Sequence, residues 1–152
     1  MNFNFKELAE SDLPLIKDWL QQPYVSKWFD TNEWINEIFP NLISDWVWYF
    51  RAELDSKPVG FAQYYNTSKA PKGPWSSQPT GTIGIDFFIG NPSFLGKGYG
   101  ILLVKNFVEF VINNVNPKRI IADPDKENIK SQHILKKCGF RLEKKTGLYI
   151  KM

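Results

Sequence analysis

Gly84 to Val111 reads G-I-D-F-F-I-G-N-P-S-F-L-G-K-G-Y-G-I-L-L-V-K-N-F-V-E-F-V. An apolar strand, a short loop, a Gly-rich turn and an amphipathic helix follow one another. One carboxylate, Asp86, stands inside the strand. Gly96, Gly98 and Gly100 bracket Lys97 where the helix should begin. A helix N-terminus presents unpaired N–H groups and the positive end of its dipole. Glycine lets the backbone approach an anion closely and form a concave nest around it. The layout suits a phosphate-bearing ligand held beside one acid–base group. A Gly-rich strand-to-helix turn with no ligand fits the same spacing equally well.

Two nucleotide-binding versions fail. A P-loop needs four residues between its first Gly and the Gly-Lys pair, then Ser or Thr. Here five residues separate Gly90 from Gly96, and Gly98 follows the Lys. The dinucleotide fingerprint G-x-G-x-x-G needs glycine where Ile101 stands.

Outward from this stretch, composition narrows the classes. The chain has 152 residues, which predicts a single domain over 1–152. With 43% hydrophobic and 16% aromatic residues it is globular in composition. One cysteine, Cys138, leaves no internal disulfide, and one histidine, His133, argues against a metal site or a His-centred triad. His133 reads as a helix-face residue and Cys138 as a small core residue. No apolar run is long enough to span a membrane, and the N-terminus M-N-F-N-F-K-E-L lacks a secretory pattern, so the expected location is the cytoplasm. A net charge of +3 is too small and dispersed to suggest nucleic acid, but suits an anionic ligand.

The remaining elements follow from pattern. Asn2 to Leu8 reads as a first strand. Ser11 is the expected cap of a helix over Asp12 to Leu20, with Pro14 in its first turn and Pro23 ending it. Asp30 and Glu33 fit a capping box for a helix over Thr31 to Phe39. Asp45 to Leu54 and Val59 to Asn66 read as antiparallel strands around a turn at Asp55 to Pro58. Thr67 to Thr80 is a long loop, the candidate substrate loop or lid. Gly81 to Ile89 is the central strand. Gly98 to Asn113 is a helix facing inward through Leu102, Phe107, Val108 and Ile112. Arg119 to Ala122 is a short strand, and Asn128 to Cys138 a helix stopped by Gly139. Two closing strands meet at a turn, Thr146-Gly147. The expected fold class is α+β, a mixed, mostly antiparallel sheet of six to seven strands with about four helices.

Ala122 to Phe140, A-D-P-D-K-E-N-I-K-S-Q-H-I-L-K-K-C-G-F, repeats the strand–loop–helix theme and closes on Gly-Phe. Together with the turn Leu95 to Gly100, it resembles the acyl-CoA-binding core of the GNAT N-acetyltransferase family. E-S-D-L-P-L-I-K-D-W-L (Glu10 to Leu20), K-W-F (Lys27 to Phe29), K-P-V-G-F-A-Q-Y-Y (Lys57 to Tyr65) and G-I-D (Gly84 to Asp86) are similar to the bacterial aminoglycoside 6′-N-acetyltransferase branch. Some siderophore-related acyltransferases look similar too.

The resemblance implies the GNAT fold, acetyl-CoA as co-substrate, and direct attack of an amine on the thioester without an acyl-enzyme. Asp86 would be the base and amine anchor. On its own terms, an Asp within I-G-I-D-F-F-I is costly if buried unpaired, so solvent exposure or an internal pair is the other reading. Backbone N–H groups near Phe88 and Ile89 would polarise the thioester carbonyl. Leu95, Gly96, Lys97, Gly98, Tyr99 and Gly100 would hold the pyrophosphate. Asn128 would bond the pantetheine arm as well as capping its helix. Asp123 would face the substrate. Trp28, Tyr64, Tyr65 and Trp75 suit an aromatic-walled acceptor pocket.

Three departures from the family pattern stand out. Leu95 replaces the Gln or Arg that usually opens the Gly motif. Leu135 replaces the Tyr that often protonates the thiolate. The loop Ala70 to Pro79 carries Lys72 and no carboxylate, whereas aminoglycosides are polycations. The expected partner is a small-molecule primary amine; an aminoglycoside in that role would make the chain an antibiotic-resistance enzyme. A polyamine, a peptide or protein amine, a siderophore precursor, or acyl-CoA binding without turnover are the alternatives. A monomer or homodimer fits.

Overall fold

Strand β4 (Thr82–Ile89), the core of the opening stretch, has neighbours on both edges and different partners along its length. The computed structural model describes residues 2–152. It contains β1 (Asn4–Glu7), α1 (Leu13–Leu20), α2 (Pro23–Ser26), α3 (Thr31–Ile38), β2 (Val47–Leu54) and β3 (Lys57–Asn66) before β4. After β4 come α4 (Tyr99–Val115), β5 (Arg119–Ala122), α5 (Ile129–Lys137), β6 (Arg141–Leu142) and β7 (Tyr149–Lys151). The seven strands form one sheet in the order β1-β2-β3-β4-β5-β7-β6. All neighbouring pairs are antiparallel except β4–β5, whose parallel pairing the α4 crossover requires. The α+β expectation and the mixed seven-stranded sheet are both met.

Helices cover both faces. On one, Tyr64, Ile83 and Ile85 pack with Val104, Phe107 and Leu135 of α4 and α5. On the other, Phe61, Tyr65 and Phe88 pack with Ile16, Leu20 and Ile38 of α1 and α3. Alternate side chains of a strand point to opposite faces, so one strand serves both cores. Asp86 shares the parity of Phe88 and faces the α1–α3 side.

Several local expectations are corrected. Among the described residues a short fifth helix joins the four read from pattern, because Pro23 opens α2 as its first residue instead of only ending α1. Ser11 does not cap α1. A short 3₁₀ turn over Glu10–Asp12 precedes that helix, and the Asp12 carboxylate accepts from the Ala9 N–H at 2.9 Å. α4 turns Leu103, Val104, Phe107, Val108 and Val111 inward, while Ile112 is 45% exposed. A stripe through 102 and 112 is thus one residue out of phase. Gly139 ends α5 with φ +89° as expected. Among the described residues no helix is long and apolar enough to cross a membrane.

Candidate active site

Asp86 does not stand unpaired. Gln63, its cross-strand partner on β3, donates from Nε2 to Asp86 Oδ2 at 2.9 Å. Burial raises the Asp86 carboxyl from the usual Asp range to about 7, the Gln63 hydrogen bond opposes the rise, and the charges of Asp123 and Glu37 add to it. A carboxylate near 7 is poised to take a proton at neutral pH. Beside it, the Tyr65 ring lies over Gly84. A Cβ there would stand 2.1 Å from Tyr65 Cζ, so only glycine leaves room for the ring.

In front of Asp86 opens a cavity of about 510 Å³. Four carboxylates line it, from Glu33 and Glu37 on α3, Asp86 on β4, and Asp123 just past β5. Glu33 and Glu37 are four residues apart, so one helical face carries both. Burial and the neighbouring Glu33 raise the Glu37 carboxyl, while burial and Asp125 raise Asp123. Lys72 supplies the single lining cation. Trp34, Tyr65 and Trp75 make the aromatic walls. Trp75 meets Tyr65 edge-on at 5.5 Å, and its indole N–H donates to the Pro71 carbonyl at 2.9 Å. This bond and that from Gly73 N–H to Ser76 Oγ at 2.9 Å fold the loop on itself, and Ala70, Pro71, Lys72 and Trp75 line the cavity.

A second cleft, of about 450 Å³, lies where β4 and β5 part. Their pairing ends at Ile85–Ala122, although β4 runs on to Ile89. Gly90 N–H donates to the Val59 carbonyl at 2.9 Å, and Thr67 N–H to the Thr82 carbonyl at 3.3 Å. Antiparallel alternation then directs the N–H of Asp86 and Phe88 into the β3 ladder and those of Phe87 and Ile89 toward the gap. Ile89 keeps its expected place; Phe88 does not, because its N–H is engaged with β3.

At the cleft's other end, Gly96 (φ +71°) and Gly98 (φ +80°) are left-handed, and no protein atom lies within 4 Å of where either Cβ would be. Gly98 is the N-cap of α4 and no side chain caps the helix. The orphaned N–H groups face an open, exposed position, with Lys97 exposed between the glycines. Leu95 and Gly100 line the cleft, and Tyr99 packs on Phe94 at 5.0 Å. Asn128 caps α5 by accepting from Ser131 N–H at 3.1 Å, which engages Oδ1 and leaves its amide N–H₂ for the cleft it lines.

A space of about 130 Å³ joins the two cavities, bordered by Asp86, Asp123, Asn128, Ser131 and Leu135. Trp28 stands at this junction and in the cleft, not in the acidic cavity, with Lys27 Nζ 5.0 Å from its ring centre. Tyr64 is off the site altogether. It is buried on the opposite face and stacks on Trp48 and Phe50.

The sequence reading missed Glu33, Glu37 and Gln63. Asp30 Oδ1 accepts from Glu33 N–H at 3.0 Å, which is half of the expected capping box, while the Glu33 side chain lines the cavity. The i, i+4 carboxylates were the available signal for the pair. Gln63 required the β3–β4 register.

Two joined cavities, one acidic and one ending on an uncapped helix, meet at a carboxylate poised near 7. A model of the acetyltransferase (GNAT) domain matches residues 9–148, and the chain belongs to this family of acetyl-CoA-dependent N-acetyltransferases. Within it, the chain is 29% identical over 142 residues to the type 1 aminoglycoside N(6′)-acetyltransferase of Klebsiella pneumoniae, spanning 88% of this chain and 71% of that protein. It superposes with a TM-score of 0.86 and 25% identity on an AAC(6′)-Ib structure with paromomycin and acetyl-CoA, covering 100% of this chain and 94% of the other. A complex of AAC(6′)-Ib with coenzyme A and kanamycin gives the same score and identity over 99% and 95%.

Proposed function

We propose that the chain transfers the acetyl group of acetyl-CoA to the 6′-amine of an aminoglycoside, with Asp86 as base. The observation that carries this reading is the four-carboxylate cavity in front of Asp86. A loop without carboxylates argued against a polycation, but the cavity takes its negative charge from α3, the interior of β4 and the residue just past β5 instead. The likeness to aminoglycoside N(6′)-acetyltransferases supports the same acceptor.

The chemistry needs a neutral amine, a polarised carbonyl and the two held in contact. An alkyl ammonium has a pKa of about 10, so it must lose a proton before attack. Asp86, held in its ionised form by Gln63, takes that proton. The freed lone pair attacks the thioester carbon; the nitrogen then gives up its second proton, to water or to the departing sulfur, as the carbon–sulfur bond breaks and sulfur keeps the bonding pair. Ile89 N–H, on the unpaired edge of β4, polarises the carbonyl, with Phe87 N–H on the same edge. Gly96 to Gly100 and Lys97 receive the pyrophosphate, and the Asn128 amide bonds the pantetheine arm. Glu33, Glu37 and Asp123 bind the acceptor's other ammonium groups, against Trp75 and Tyr65, while Trp28 borders the passage. Leu135 is fully buried and offers no acid, so water, the attacking nitrogen or the protonated Asp86 supplies the thiolate's proton. The route calls for no metal, fits within one chain, and draws on cytoplasmic acetyl-CoA.

A thiol-release assay over several amines tests the reading. Kanamycin should be acetylated on its 6′-amine. An analogue with a hydroxyl there should release almost no thiol, and spermidine and peptides should be poor acceptors. Preference for spermidine, or acetylation of kanamycin at another nitrogen, would overturn the acceptor assignment.

A further inference from the structure

Two buried side-chain atoms have no hydrogen-bond partner among the described residues: the Tyr49 hydroxyl and Gln63 Oε1. Tyr49 is 4% exposed and Gln63 is 4% exposed. Orphaned buried polar atoms are rare, because burial without a partner is costly. These two are also complementary, since a hydroxyl can donate and an amide oxygen can only accept. They belong to directly opposed residues. Tyr49 on β2 pairs with Gln63 on β3, which pairs with Asp86 on β4. Opposed residues share a sheet face, with Cβ atoms roughly 5 Å apart. A row Tyr49–Gln63–Asp86 therefore crosses three strands and ends at the carboxylate.

The Gln63 amide has two ends and only one suits an ionised Asp86. Nε2 donates to the carboxylate. Oε1 turned toward it would repel the charge and favour the protonated acid. No other described residue holds Oε1 in place. We propose that Tyr49 is a positioning residue: its hydroxyl donates across one bridging water to Gln63 Oε1, and so locks the amide with Nε2 on Asp86. Tyr49 touches no reactant, and it favours the base form of Asp86 by excluding the flipped amide.

Other groups facing Asp86 set its baseline. They are Glu33 and Glu37 on α3, Tyr65 on β3, Lys72 on the loop, and Asp123 with Asp125 past β5. Glu37 also acts on the Tyr49 hydroxyl, so the Glu37 midpoint is followed alongside that of Asp86 in every variant.

The inference rests on the proposed role of Asp86 only for its kinetic consequence. Its test reads the carboxyl itself. The ¹³C carboxylate signal of Asp86, assigned by its loss in Asp86→Asn, is titrated in wild type, Tyr49→Phe, Gln63→Leu and the double variant. Thermal melts in parallel establish that each is folded. Tyr49→Phe should move the Asp86 midpoint up by roughly half a pH unit or more, as expected when a hydrogen bond to the charged form is lost. Gln63→Leu should move it at least as far, and Tyr49→Phe should add nothing in the Gln63→Leu background. If Asp86 is the base, the acid limb of kcat/KM shifts by the same amounts. Midpoints that move with no change in that limb would sink the base assignment and leave the positioning role standing. An unmoved midpoint in Tyr49→Phe, or an equal shift with Gln63 already removed, would overturn the positioning role. Should Tyr49→Phe fail to fold, Tyr49→Leu gives a second reading. It too removes the hydroxyl, so the Asp86 midpoint should rise as far, and an unmoved midpoint there would overturn the positioning role.

Discussion

At the scale of single residues, Asp86 sets a conflict between stability and chemistry. Its carboxyl is raised to about 7 in the folded protein, chiefly by burial. The unfolded value is about 3.9. Between these two the native state binds more protons than the unfolded chain, so stability falls as pH rises through that window. Asp86→Asn removes the charge and keeps an acceptor for Gln63. It should raise stability at pH 8.5 by about 1–3 kcal/mol, with the gain fading toward pH 4. Thermal melts across that range check the sign. In wild type, kcat/KM for the acceptor should climb with pH through about 7, as Asp86 ionises. The oddity of one acid in an apolar strand was legible in the sequence. Its partner was not, since Gln63 reaches Asp86 only through the register of a hairpin whose loop is long and irregular.

At the scale of elements, the proposed reading gives the cofactor to the turn into α4 and the acceptor to the face of α3. Gly96 and Gly98 have left-handed φ values, where any other residue costs roughly 1–2 kcal/mol. A Cβ at either meets no protein atom, so strain alone burdens the fold. Gly98→Ala should then weaken coenzyme A binding by about tenfold or more while Tm falls by only a few degrees, as calorimetric titration and melting would record. The sequence announced this turn because spacing excluded its nucleotide-binding relatives. It did not announce α3 as a binding face. Glu33 was absorbed into a capping motif, and only the packing of α3 against β2 and β3 turns Glu33 and Glu37 toward Asp86. The same limit explains Tyr64 and Tyr65. They are adjacent aromatics on one strand, and the sheet's parity, which no composition reveals, sends one to the core and the other to the cavity.

At the scale of the whole molecule, a chain of net charge +3 concentrates four carboxylates around one cavity. Local field, not net charge, governs capture of a cationic acceptor. KM for kanamycin should rise with ionic strength, and Glu33→Gln with Glu37→Gln should raise KM at low salt and flatten that dependence, with kcat little changed. Steady-state kinetics at several salt concentrations would check both. The succession of strands and helices was legible in outline because β4, α4 and β5 have clear boundaries; the order of the strands in the sheet came only with the structure. The cavity was not, since it is assembled from α3, the long loop, the interior of β4 and the residue just past β5, far apart in sequence. The most direct measurement is single-turnover acetylation of kanamycin at pH 7.5 by Asp86→Asn, with coenzyme A affinity measured alongside. The account expects a loss on the order of 100-fold or more with coenzyme A binding unchanged. Acetylation at the wild-type rate would contradict it.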